Sequence, residues 1–149
     1  MNDVVVRHAE TDEDLQACFL VMQQLRPHLR TADDFTARVR RMMAGGQYRI
    51  LAAWHGQAAL ALAGYRLQEN LIYGRFLYVD DLITTAASRG RNFGAGLLDE
   101  LGVVAARQGC GQLVLDTGLS NALAQRFYFR QGLVTSAIRF SKAIDVDEQ

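Results

Sequence analysis

The chain has 149 residues, with Lys+Arg 16 and Asp+Glu 16, so its formal net charge is zero. Its residues are 50% hydrophobic and 21% charged, the composition of a globular chain long enough for one domain and a core of its own. The charge balance speaks against a nucleic-acid binder, and no apolar run approaches the roughly 20 residues that span a bilayer. The N-terminus carries Asp3 and lacks the basic-then-apolar layout of a signal peptide.

Val4, Val5 and Val6 are β-branched and predict a first strand. Thr11 with Asp14 three residues on resembles a capping box, and Leu15, Cys18, Phe19, Met22 and Leu25 then recur at helical spacing until Pro27. Thr31 and Asp34 repeat the signal for a second helix, with Phe35, Val39, Met42 and Met43 on its apolar stripe and Gly45-Gly46 at its end. From Tyr48 the period changes. Tyr48 to Trp54 predicts a strand, His55-Gly56 a tight turn, and Gln57 to Leu67 a second strand. Ala58 to Ala63 is apolar throughout, so that strand should be covered on both faces. A short polar loop with Glu69 and Asn70 leads to a strand over 75–84, whose middle holds two adjacent carboxylates, Asp80 and Asp81.

Seven of the 13 glycines fall between Gly90 and Gly118. Arg89-Gly90-Arg91-Asn92-Phe93-Gly94-Ala95-Gly96 runs into a helix with Leu97, Leu98, Leu101, Val104 and Ala105 on one face. Gln112 to Asp116 predicts a short strand, Asn121 caps a fourth helix carrying Phe127 and Tyr128, and Leu133 to Ala143 reads as a last strand or two. Asp145 to Gln149 is an acidic tail expected to be solvated. The class is mixed α/β or α+β, with a parallel strand pair around the third helix. Cys18 and Cys110 are isolated and read as buried free thiols of a reducing cytoplasm. His8, His28 and His55 are scattered and suggest no metal site.

A glycine-rich turn opening a helix presents backbone N–H groups at the positive end of the helix dipole, which suits a phosphate. Arg89 and Arg91 add charge at the same place. No Gly-Lys-Ser/Thr follows, so the turn is no P-loop, and its glycines do not spell a dinucleotide fingerprint.

The stretch Arg89 to Leu98 resembles the Arg/Gln-x-x-Gly-x-Gly/Ala signature of the GNAT superfamily of N-acetyltransferases. With Leu97-Leu98 setting the register, Asn92 stands at the first signature glycine, and Asn tolerates the positive φ required there. An alternative register, Arg91 to Gly96, fits the letters fully but displaces the helix by two residues. Asn121-x-x-Ala124-x-x-Phe127-Tyr128-x-x-x-Gly132-Leu133 is similar to the superfamily's fourth-helix pattern, and Tyr78 to Thr84 to its strand ahead of the phosphate loop.

The resemblance implies one domain over residues 1–149, with a central mixed, mostly antiparallel sheet, a splayed parallel strand pair and about four flanking helices. It implies an acetyl-CoA-dependent N-acetyltransferase acting by direct attack of a primary amine, on a small molecule or a peptide. The alternative is a non-catalytic acyl-CoA-binding regulatory module on the same fold. The implied cofactor contacts are Arg89, Gly90, Arg91, Asn92, Phe93, Gly94, Ala95 and Gly96 for the pyrophosphate and backbone of Leu82, Ile83 and Thr84 for the pantetheine arm, with Asn121 nearby. Tyr128 is implied as general acid at the CoA sulfur. Asp80 is the favoured general base, with Asp81 as the alternative, because strand parity and an expected bulge leave the choice open. No metal, nucleic acid or membrane partner is expected, and a homodimer follows from the superfamily's habits. The region of Arg26, His28, Arg30, Asp33, Asp34, Arg38, Arg40 and Arg41 corresponds to the acceptor side. An Arg38/Arg41 face reads as solvated; if it is not, an acceptor with a carboxylate or phosphate would suit it.

Overall fold

The computed structural model describes residues 3–147; Met1, Asn2, Glu148 and Gln149, the last two from the acidic tail, lie outside the described residues. Five strands form one sheet in the order β1-β2-β3-β4-β5: Val4–His8, Arg49–His55, Ala58–Asn70, Gly74–Thr84 and Gln112–Leu115. All neighbours are antiparallel except β4 and β5, which are parallel. The helices are α1 (Asp12–Leu25), α2 (Ala32–Gly46), α3 (Phe93–Arg107) and α4 (Ala122–Arg130).

The expected caps form. Thr11 accepts from the Asp14 amide while the Asp14 carboxylate accepts from the Thr11 amide, a complete capping box that opens α1. Thr31 caps α2 through the Asp34 amide. Pro27 follows the C-cap Arg26, where the missing N–H and fixed φ end the helix. Alternation along β2 sorts its side chains between two cores. Ile50, Ala52 and Trp54 join Leu15, Phe19, Met22, Phe35 and Val39 of α1 and α2. Leu51 and Ala53 join Leu97, Leu101 and Ala105 of α3 on the other face. Cys18 and Cys110 are both buried free thiols, and burial pushes the Cys18 thiol up to about 12.

The chain divides into two compact units, residues 1–115 and 116–149. In the second, Asn121 caps α4 through the Ala124 amide, and the Leu133 amide returns to the Tyr128 carbonyl past Gly132 at φ 90°.

Three expectations change. Leu133 to Ala143 forms no strand, and Val134, Ile138 and Phe140 are exposed. β-branched and aromatic residues favour a strand only where their neighbours let them pack. Glu69 and Asn70 belong to β3, and the Asn70 side chain instead closes the turn by accepting from the Ile72 and Tyr73 amides. The β2–β3 turn is centred on Gly56 (φ 61°) and Gln57, one residue later than expected, because glycine takes the left-handed position.

Candidate active site

The segment ahead of α3 is a short 3-10 turn over Ala86–Ser88 followed by Arg89 and Gly90, with Gly90 at φ 82°. Asn92 is the N-cap of α3 at φ 64°, ψ 23°, in the left-handed region. It thus occupies the conformation that the signature glycine would supply, and the helix starts at Phe93, as the register set by Leu97-Leu98 requires. The Asn92 side chain makes no capping bond, and the first turn of α3 holds no acidic residue. The first intrahelical bond runs from the Gly96 amide to the Asn92 carbonyl, so the amides of Phe93, Gly94 and Ala95 point outward along the helix axis. Arg89 and Arg91 are exposed and form no ion pair among the described residues. The Arg91 guanidinium lies 4.9 Å from the Phe93 ring centroid, which holds its charge beside these amides. The first turn of α3 therefore fits a phosphate: oriented N–H donors, two cations and no competing carboxylate.

The parallel ladder between β4 and β5 covers only Phe76–Val79 against Gln112–Leu115. β4 continues to Thr84, paired on its other side with β3 through Ala63↔Leu82, Leu62↔Ile83 and Ala61↔Thr84. Beyond Val79 its β5-side edge has no ladder partner among the described residues, and that edge includes the backbone of Leu82, Ile83 and Thr84. An extended chain with alternating donors and acceptors could pair there.

The adjacent carboxylates lie at a β-bulge. Gly64 pairs with Asp81 and Tyr65 with Val79, so Asp80 is the extra residue of β4. The bulge cancels strand alternation, and both carboxylates engage residues on the α1–α2 face. Both Asp81 oxygens are engaged: Oδ1 accepts from Nε and Nη2 of Arg26 at 3.1 and 3.0 Å, and Oδ2 accepts from the Tyr48 hydroxyl at 2.7 Å. Asp80 accepts one bond, from Arg66 Nε to Oδ2 at 2.7 Å, and its Oδ1 has no partner among the described residues. Burial raises the Asp80 carboxyl above its usual range against the opposing pull of Arg66, and neighbouring Asp81 pushes the same way as burial. Burial and the Asp81 charge hold the Tyr48 phenol well above its ordinary pKa, so it stays a donor.

Tyr48, Gly64, Arg66 and the contact of Arg26 with the carboxylates escaped the sequence reading. A Cβ on Gly64 would overlap the Tyr48 hydroxyl and Asp81 Oδ2, so only glycine lets that bond form. The signal was a glycine inside an apolar strand, which marks a bulge or a close approach. Arg66 likewise breaks the apolar run of β3. Of the expected acceptor-side arginines, Arg26 reaches the two carboxylates, whereas Arg38 pairs with Asp34 and Arg40 ties α2 to Asp12 and the Glu10 carbonyl.

In the second unit, Tyr128 lies half-buried on α4 with its ring edge-on to Phe127 at 5.4 Å, and burial raises its phenol pKa. Phe129 is exposed in that unit. No group of three or more His, Cys, Asp or Glu among the described residues could hold a metal ion.

The first turn of α3 suits a phosphate, the β4 edge beyond Val79 has no ladder partner among the described residues, and the half-buried Asp80 keeps one oxygen without a partner among them. The sequence profile of the Acetyltransferase (GNAT) family matches residues 9–133, and the chain belongs to that family. It is 26% identical over 140 residues to YhdJ, an uncharacterised N-acetyltransferase of Bacillus subtilis (strain 168), with 93% of this chain and 98% of that protein covered. A transcriptional regulator from Bacillus halodurans C-125 shares the fold at TM-score 0.84 and 19% identity, covering 95% of this chain and 99% of the other. The aminoglycoside N-acetyltransferase AAC(6')-Iy, solved with CoA, superimposes at TM-score 0.83 and 15% identity, covering 96% of each chain.

Proposed function

We propose that the chain is an acetyl-CoA-dependent N-acetyltransferase that transfers the acetyl group to a primary amine of a small molecule or peptide by direct attack in a ternary complex. The observation that carries this reading is the start of α3, left without a side-chain cap or an acidic residue and flanked by two arginines that form no ion pair among the described residues. Its amides and Arg89 and Arg91 bind the pyrophosphate, and the free edge at Leu82–Thr84 takes the pantetheine arm. The resemblance of the fourth helix supports Asn121 as a further cofactor contact.

Asp80 is the base. A primary amine has a pKa of about 10 and must lose a proton before it attacks. Both Asp81 oxygens are engaged by Arg26 and Tyr48, whereas Asp80 Oδ1 has no partner among the described residues. Raising the Asp80 pKa improves its basicity toward an ammonium, directly or through a water. Asp81 instead braces the bulge. Tyr128 is the acid for the leaving thiolate, and its fourth-helix motif supports that role; a raised phenol pKa keeps the proton available across neutral pH. Holding both reactants supplies roughly 7–11 kcal/mol in well-oriented cases. The two units work as one cytoplasmic domain, and a homodimer through the C-terminal segment is part of the proposal. Light scattering that shows a monomer removes the dimer.

The test is a thermal shift with acetyl-CoA followed by a free-thiol assay over an amine library. Stabilisation and CoA release with some amine are expected; no shift with acetyl-CoA overturns the reading. Activity should rise with pH as Asp80 ionises, with the acid limb above the ordinary carboxylate range. Asp80→Asn should cut turnover by about 10²–10⁴-fold and remove that limb. Tyr128→Phe should lower turnover far more than acetyl-CoA affinity; equal activity removes Tyr128 from its role.

A further inference from the structure

We propose that the acceptor is a zwitterionic amine, carrying a carboxylate or phosphate close to its amino group, and that Arg66 and Arg26 bind this oxyanion beside Asp80. The proposal rests on the reading of Asp80 as the base and deepens it to a substrate class.

Two guanidiniums flank Asp80. Arg66 reaches its carboxylate through Nε, and Arg26 reaches its backbone carbonyl through Nη2 at 3.0 Å. Both keep donors in reserve. Arg26 spends Nε and Nη2 on Asp81 and the Asp80 carbonyl and leaves Nη1 without a partner among the described residues. Arg66 spends only Nε, leaving both Nη groups. Neither side chain is sealed: they are 43% and 26% exposed. Arg66 is also held in place, with its guanidinium 5.3 Å from the Tyr48 ring centroid and Nη1 passing the position a Gly46 Cβ would crowd. A planar fork fixed in this way suits an oxyanion.

Charge bookkeeping points the same way. At rest the two carboxylates balance the two guanidiniums. When the amine's proton moves to Asp80, that carboxylate becomes neutral and Arg66 loses its counter-charge in a partly buried place. An oxyanion on the acceptor supplies the missing negative charge. A carboxylate makes the incoming ammonium compound neutral overall and a phosphate makes it net anionic, so in neither case does binding add positive charge to the cluster. A polyamine brings several positive charges against two guanidiniums, and like charges at such range are disfavoured.

The experiment measures acceptor binding by calorimetry on the full chain saturated with CoA, which lacks an acetyl group, so binding is read without turnover. β-Alanine is compared with β-alaninamide, phosphoethanolamine with ethanolamine, and spermidine serves as the polycation. The two pairs separate a carboxylate preference from a phosphate preference. In at least one pair the member carrying the oxyanion should bind tenfold or more tightly than the counterpart lacking it, with spermidine weaker still. Arg66→Gln should bring that ratio close to one. If that variant does not fold, Arg66→Lys, which keeps the charge but loses the fork, should lower the ratio about threefold. Asp80→Asn should keep the preference while losing thiol release. The proposal alone is overturned if amines lacking an oxyanion, or spermidine, bind as tightly as those carrying one while thiol is still released, if the arginine variants leave the ratio unchanged, or if no amine binds. Anion preference without any thiol release from acetyl-CoA removes the transferase reading and with it the assignment of an acceptor.

Discussion

The starts of α1 and α3 are built on opposite principles. At α1 the protein satisfies itself: Thr11 and Asp14 form a reciprocal capping box, Asp12, Glu13 and Asp14 complement the dipole, and Arg7 grips Asp14 through two bonds of 2.9 and 3.1 Å. At α3 every one of those devices is missing. Asn92 turns its backbone into the left-handed region without capping, no carboxylate stands in the first turn, and the nearby side chains are cations. Both helices have similar length, 14 and 15 residues, so their dipoles are comparable. Under the proposed function the negative charge at α3 comes from the cofactor's pyrophosphate, whereas α1 carries its own.

Reversing the charge at α3 should have the largest effect. Arg89→Glu with Gly94→Glu should lower acetyl-CoA affinity at least about 100-fold, or about 2.8 kcal/mol, by titration calorimetry; retained affinity would sink the phosphate-turn assignment. A finer change makes α3 resemble α1. Asn92→Asp is nearly isosteric and tolerates the same φ, but puts a carboxylate at the dipole's positive end. Acetyl-CoA affinity should fall about tenfold, about 1.4 kcal/mol, while the melting temperature of the ligand-free protein holds or rises. The converse change at α1 is Thr11→Ala. It should cost about 1 kcal/mol of unfolding free energy in urea and leave acetyl-CoA affinity untouched. The smallest effect is acid sensitivity at α1. Arg7 beside Asp14 holds that carboxyl down at about 2, below its ordinary 3.8. Its contribution is complete above the ordinary value and disappears as pH falls through about 2. Asp14→Asn should flatten urea stability in that window; an unchanged acid slope would show that the pair contributes nothing.

Much of this contrast is legible in the letters. Thr11 and Asp14, and the glycines and arginines around Asn92, are local signals, and a helix start is decided within one turn. Asp80 and Asp81 stood out because adjacent carboxylates are rare in an apolar strand. Their division of labour was not legible. It depends on Arg26 at the C-cap of α1, Tyr48 just ahead of β2, and Gly64 and Arg66 of β3, which are between 14 and 55 positions away along the chain. Leu133 to Ala143 shows the opposite failure, since β-branched and aromatic letters did not by themselves make a strand there.

The sequence alone determined where the helices begin, which turn offers bare amides and cations, and that the chain's zero net charge conceals a local positive site. These follow from interactions within a few residues. Only the tertiary structure decided that the bulge turns both carboxylates to one face, that both Asp81 oxygens are engaged and that Asp80 Oδ1 has no partner among the described residues. Those outcomes depend on which distant donors reach each carboxylate, and donors brought together by sheet pairing leave no periodic trace in the chain.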